Sequence, residues 1–189
     1  MEWIKAASAS PRGRFIGVIY LSYFLLAILA QVLGQHSFSA FSNATNLMSN
    51  ILYLTLAFLF FFLFRPVNRL ISLIAAIVSA AGCVIGTVAI FDPATPLISP
   101  LWFFGPYCLL IGYLIFRSTF LPRILGVLMA LAGAGWLIYL SPLEKYLVLY
   151  IEILGVLAEA SLMLWLIVKG VNKLRWEEEF RLMPNSAPH

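Results

Sequence analysis

YLVLYIEILGVLAEASLMLWLIV, residues 146–168, decides the fold. The stretch contains no Lys, Arg, His or Pro, and it lies between Lys145 and Lys169. A bilayer core needs about 20 apolar residues to be crossed by a helix, so this run reads as a membrane span. Two acids interrupt it, Glu152 and Glu159. Further apolar runs precede it at 15–34, 47–64, 70–91, 99–116 and 124–140. Breakers separate them: Arg65-Pro66-Val67-Asn68-Arg69, Asp92-Pro93-Ala94-Thr95-Pro96 with Pro100, the segment 117–123, and Ser141-Pro142. Pro122 stands just ahead of the fifth run, where a first-turn proline is tolerated. Loops this short join neighbouring antiparallel helices. The first run exceeds the roughly 7–15 residues of a signal-peptide core and reads as a span.

The whole chain agrees with its last span. Of 189 residues, 62% are hydrophobic and 11% charged, whereas an ordinary soluble chain is roughly 45–50% apolar and about 25% charged. Six spans consume roughly 120 residues and leave only short loops and tails. A soluble enzyme, a nucleic-acid-binding domain and a secreted disulfide scaffold are excluded on these grounds.

The placement of charge checks the span count. Six spans put Lys5, Arg12, Arg14, Arg65, Arg69, Arg117, Arg123, Lys169, Lys173, Arg175 and Arg181 on one side and Lys145 on the other. A five- or seven-span reading scatters them. Lys and Arg mark the cytoplasmic side. The expected fold is therefore all-α, an integral membrane bundle of six transmembrane helices in one domain, 1–189. Both termini are expected to be cytoplasmic, with a cytoplasmic tail over 169–189. Trp3, Trp102, Trp136, Tyr139, Tyr146 and Trp176 suit an interfacial aromatic belt. Glu177-Glu178-Glu179 with Arg181 reads as a solvated helix continuing from the sixth span through Lys173, Arg175 and Trp176.

Candidate chemistry rests on the two acids within the lipid layer, because burying a charge there costs several kcal/mol or more. Glu152 and Glu159 are seven residues apart. On a helix they point within about 20° of each other and sit roughly 10 Å apart along the axis. Glu159 lies about 20 Å from Tyr146, near mid-bilayer. The pair forms a candidate intramembrane proton or ligand site. Gln31, Asn50 and Ser79 are possible polar partners, with Tyr20, Ser22, Tyr23 and Thr55 also within spans. No Lys, Arg or His falls within any span to complete an ion pair.

Other signals point to packing. Cys83 and Cys108 lie in apolar runs and behave as small hydrophobes. His36 and His189 fall on opposite sides and cannot share one haem, and no metal-ligand spacing is present, so neither metal nor cofactor is expected. Asp92 is the one Asp, which leaves no paired-aspartate site, and no catalytic set is expected. Asn43-Ala44-Thr45 matches a glycosylation sequon, a short pattern common by chance. Gly82 with Gly86, and Gly126 with Ala130 and Ala134, form small-residue stripes suited to close helix contact within the chain. Gly105-Pro106 should kink the fourth helix or mark its N-terminus. Arg65, Arg69, Arg117 and Arg123 can meet lipid headgroups as well as set topology.

Four segments carry a resemblance: RFIGVIYL at 14–21, FRPVNR at 64–69, GYLIFRSTFLPRILGVLMALAG at 112–133 and AEASLMLWLIVKGVN at 158–172. Together they resemble a bacterial membrane-protein family catalogued as domain of unknown function 4386. The resemblance implies a six-helix protein of the inner (cytoplasmic) membrane, and it supplies no activity or catalytic residue. Glu159 falls where that family typically carries a Glu in its last helix, in a Gly-Glu pair, and Ala158 here replaces the Gly. Members often carry charged or polar residues in the third helix, where this chain has Val78-Ser79-Ala80-Ala81.

Two function classes follow. The first is a non-enzymatic accessory or partner-binding membrane component, in contact with the lipid bilayer and with a partner membrane protein or a second copy, and without nucleic acid. The second is a small-solute or proton-coupled transporter using Glu152 and Glu159. Whether these carboxylates meet a polar cavity, a packed seam or lipid decides between them.

Overall fold

A computed structural model gives the structure, described for residues 11–35, 39–91 and 99–182. Helix follows helix: α1 (Pro11–Gln35), α2 (Ser39–Phe64), α3 (Arg69–Phe91), α4 (Leu101–Arg117), α5 (Arg123–Tyr139), α6 (Glu144–Val168) and α7 (Lys173–Arg181). No strand occurs among the described residues. Each of the first five helices packs against the next, and α1 returns to α6, so the six close into a ring. Lys5, His36, Asp92 and His189 lie outside the described residues.

Four helices, α1, α2, α3 and α6, are long and apolar enough to cross a membrane, while α4 and α5 are apolar but have 17 residues each. By rise per residue each of these two is about 26 Å long, against a hydrocarbon core of about 30 Å. The outside of the ring is apolar: Phe15, Ile77, Val84, Leu131 and Leu164 are all exposed. Helices that are hydrophobic all round belong in a membrane or a large core, and here the outward apolar side chains are covered by no other part of the described chain. The chain is a membrane protein.

The helices alternate in direction, so the α2–α3 and α4–α5 turns, the start of α1 and the end of α6 share one end. Gly13 meets Val171 and Gly17 meets Ile167, each close enough that a Cβ would stand within 2.9 Å of the partner. Phe64 stacks on Phe120 with ring centroids 5.9 Å apart. Arg12, Arg65, Arg123 and Lys173 gather at this end, and Lys145 stands at the start of α6 at the other.

The sharpest departure from expectation follows α6. The helix does not continue into the tail. It stops at Val168, and Gly170 takes φ 64°, with its N–H and that of Lys169 both donating to the Trp165 carbonyl. That left-handed geometry suits glycine and closes a helix C-terminus. Asn172 then caps α7, its Oδ1 accepting from the Arg175 N–H at 3.3 Å. Nor is α7 a freely solvated helix. Trp176 Nε1 donates to the Leu63 carbonyl at 2.9 Å. Glu179 Oε1 accepts from the Thr119 N–H at 2.8 Å and from its hydroxyl at 2.6 Å. Arg175 donates to the Thr119 carbonyl at 3.0 Å. The short helix therefore ties the two turns at the basic end together.

Smaller corrections concern boundaries and glycines. The second helix begins at Ser39, eight residues before the apolar run at 47, because Asn43, Asn46, Ser49 and Asn50 are accommodated along one side of a cavity. The fourth begins at Leu101, and Pro106 lies inside it rather than at its start. Gly105 serves a different purpose. With Gly112, Gly126 and Gly133 it forms the seam between α4 and α5, where a Cβ on Gly126 would lie 2.6 Å from the Gly112 carbonyl oxygen and 2.7 Å from the Phe116 nitrogen. Ala134, placed on that stripe by spacing, is exposed instead.

The core is not uniform along the axis. Phe60, Phe64, Leu114, Ile115, Leu162 and Leu166 are buried in the half towards the basic end. The other half holds open space.

Candidate functional site

Glu159 is the one buried charged residue among the described side chains, with 7% of its surface exposed. α6 presents it on the inward stripe formed by Ile151, Ala158, Leu162 and Leu166, all buried. Tyr20 of α1 donates its hydroxyl to Glu159 Oε2 at 3.1 Å. A buried carboxylate needs hydrogen bonds or a counter-charge, and the Tyr20 hydroxyl meets one of its oxygens.

Glu159 stands in the wall of a cavity of about 800 Å³. The cavity extends to the end where α2 begins and α3 finishes, near Asn43, Asn46 and Ile90. Its inner part is aromatic. Tyr23 lies 4.9 Å from Tyr53, Tyr53 lies 5.8 Å from Phe104 and 5.7 Å from Tyr107, and Phe104 lies 5.5 Å from Trp136, all between ring centroids. Four buried polar atoms lining this space have no hydrogen-bond partner: Tyr53 OH, Tyr107 OH, Ser79 Oγ and Trp136 Nε1. Buried polar groups are ordinarily paired, and each exception calls for an explanation. All four belong to side chains that line the cavity beside a carboxylate, and each atom is itself covered by neighbouring protein atoms.

The helices supply these groups by ordinary packing. Tyr23 and Tyr20 are one turn apart on α1, as are Phe104 and Tyr107 on α4. On α3, Ser79, Cys83 and Gly86 line the wall at one-turn intervals. Gly86 leaves room for Asn50, which donates to Thr87 Oγ1 at 3.3 Å. Trp136, in the last turn of α5, packs over Gly155, where a Cβ would lie 2.8 Å from its ring. A carboxylate, five aromatic rings and several hydroxyls around one space can hold an organic cation through charge, ring faces and hydrogen bonds.

The two acids are not brought together. Glu152 is exposed on the outside of α6, whereas Glu159 is buried within. Gln31 is likewise exposed. Asn50 and Ser79 do line the cavity with Glu159. Ser22 and Thr55 are exposed and donate to the carbonyls four residues before them, Val18 and Ile51. Cys83 and Cys108 are both buried and unpaired in a disulfide, and only Cys83 borders the cavity. Of the four arginines proposed to meet headgroups, Arg69, Arg117 and Arg123 are exposed. Arg65 packs over the rings of Phe62 and Phe180, at 5.6 and 5.1 Å from their centroids. The aromatic cluster was missed in the sequence, although Tyr23, Tyr53, Tyr107 and Trp136 each sit inside or at the edge of an apolar run.

The model of a domain of unknown function, DUF4386, matches residues 94–170. A protein of Archaeoglobus fulgidus described as an uncharacterized protein is 31% identical over 128 residues, 64% of this chain and 78% of that one. The chain belongs to the DUF4386 family. No solved structure matches it. The matched stretch contains α4, α5 and α6, and so carries Tyr107, Trp136 and Glu159. Of the four resembling segments, 112–133 lies wholly inside it and 158–172 nearly so, while 14–21 and 64–69 lie outside. The half of the cavity built by α1, α2 and α3 therefore lies beyond the DUF4386 match.

Proposed function

We propose that this is a six-span membrane protein that binds a small organic cation in the cavity ending at Glu159 and carries it across the membrane. The observation behind this reading is the buried carboxylate with no basic neighbour, set in a wall with four unpartnered polar atoms. An ionisable residue within a membrane span marks a functional site by default, and a cationic ligand would supply a counter-charge to its carboxylate. The cavity favours the small-solute class over the accessory component, whose support was the lack of any site. Glu152, exposed, drops out of the pair.

On this reading α4 and α5 also span, aided by local thinning of the bilayer around two short helices. The basic end faces the cytoplasm of the inner membrane, as Lys and Arg usually do. The cavity then faces outward, and the apolar plug of Phe60, Phe64, Leu114 and Leu166 closes it from the cytoplasm. Carriage requires that plug to open while the outer half closes, with Glu159 serving in turn the cation and a proton.

Titration of the purified full chain with choline and with 3,3-dimethyl-1-butanol, which has the same shape without the charge, tests the reading. Saturable choline binding at least about tenfold tighter than the neutral compound is expected, since a cation against a desolvated ring and carboxylate gains about 1.4 kcal/mol or more. Equal binding of both, or none of either, overturns it. A stoichiometric partner co-purifying with a chain that binds neither would return the reading to the accessory class.

A further inference from the structure

The geometry points to a second site at the opposite end, a groove for one anionic phospholipid between α1, α2 and α7. The groove encloses about 710 Å³. Its rim carries Arg12, Arg65 and Lys173 against one acid, Glu177. Its wall, one to two turns along α1 and α2, is Phe15, Ile16, Leu59, Phe62 and Leu63. Positive charge at the mouth and an apolar wall running away from it match a molecule with an anionic head and a hydrocarbon tail. From Arg65 to Leu59 the wall extends about 9 Å along the helix, which takes the tail from headgroup level into the acyl layer.

A second observation supports the head. The Arg65 Nε is buried and has no hydrogen-bond partner. The Arg65 guanidinium is held by the rings of Phe62 and Phe180 rather than by a carboxylate. Arg65 lines the groove, and its guanidinium can donate charge-assisted bonds to a phosphate oxygen. Lys173 sits 3.7 Å from Glu177 and is 58% exposed, free to share its ammonium with a headgroup. Trp176 closes the back of the groove, its N–H already engaged by the Leu63 carbonyl. The lipid would thereby join α1 and α2 to α7, which ties both basic-end turns. This site is independent of the cation cavity, and either can fail without the other.

Native mass spectrometry of the full chain tests it, with equimolar phosphatidylglycerol and phosphatidylcholine of identical acyl chains. One phosphatidylglycerol should be retained about fivefold over phosphatidylcholine or better. Lys173→Gln and Arg12→Gln should each lower that preference several-fold. Lys169→Gln, which removes the same charge from the same end outside the groove, should not. Equal retention of the two lipids overturns the proposal, as does an equal loss from Lys169→Gln, which would signify diffuse surface attraction. Displacement by soluble glycerol 3-phosphate also overturns it, in favour of a soluble phosphate ligand.

Discussion

Glu159→Gln is expected to weaken choline binding tenfold or more and to abolish carriage in proteoliposomes, while leaving the bundle folded. Gln has the same shape, and its side-chain carbonyl oxygen can still accept from Tyr20, which donates at 3.1 Å. Only the charge is removed. Because Glu159 is the one buried charged residue among the described side chains, no other fixed charge there can replace it. Losing one close charge partner of a desolvated cation costs on the order of 1.4 kcal/mol or more, which is a factor of ten. Glu152→Gln is the internal control. It alters an exposed residue outside the cavity and should change neither binding nor flux. Equal loss from both variants would mean that the negative potential of α6, and not the cavity, governs binding. An unchanged flux in Glu159→Gln would remove the carrier reading.

The largest expected loss of stability is at the α4–α5 seam. In Gly126→Val even the first added carbon would meet backbone, 2.6 Å from the Gly112 oxygen and 2.7 Å from the Phe116 nitrogen. No rotamer change can relieve a clash with backbone, so the two helices must separate. Overpacking of this kind costs on the order of 3 kcal/mol. Gly135→Ala on the same helix meets only side-chain carbons of Ile151, the nearest at 3.4 Å, and should be nearly neutral. Cys108 reports the difference, since it lies in α4 and is 1% exposed. Its labelling by a thiol-reactive dye during heating should begin several degrees lower in Gly126→Val and near wild type in Gly135→Ala. Matching curves for the two would contradict the seam.

Much of this architecture was written in the chain. Long apolar runs and Pro-rich breakers marked where helices begin and end to within a few residues, apart from the early start of α2. Glu159 stood out because acids are costly in lipid. The pairing of Glu159 with Glu152 failed for a geometric reason. A helical wheel gives the angle between two residues but not which neighbour covers each level. α1 meets α6 at Gly17–Ile167 and Tyr20–Glu159 and the link after α6 at Gly13–Val171, and at the level of Glu152 the surface of α6 is left exposed. The cavity was illegible for a related reason. Tyr23, Tyr53, Phe104, Tyr107 and Trp136 come from four helices, and each alone looks like another aromatic in an apolar run. The break before α7 could have been read. Gly170 followed two residues later by Asn172 is a helix stop and then a cap, but the charges beyond it suggested one continuous solvated helix.

The central claim is that a cation can reach the interior of the bundle at Glu159. Cys83 tests it directly, because it borders the cavity while Cys108 is buried away from it. The full chain in sealed liposomes is treated with a trimethylammonium-bearing methanethiosulfonate, and the modified cysteine is identified by mass spectrometry. The account predicts that Cys83 is modified at least about tenfold faster than Cys108 and that saturating choline slows it, because the reagent's own cation is drawn to the same carboxylate and rings. Two cysteines equally inert to the reagent, or a Cys83 whose reaction choline leaves unchanged, would contradict it.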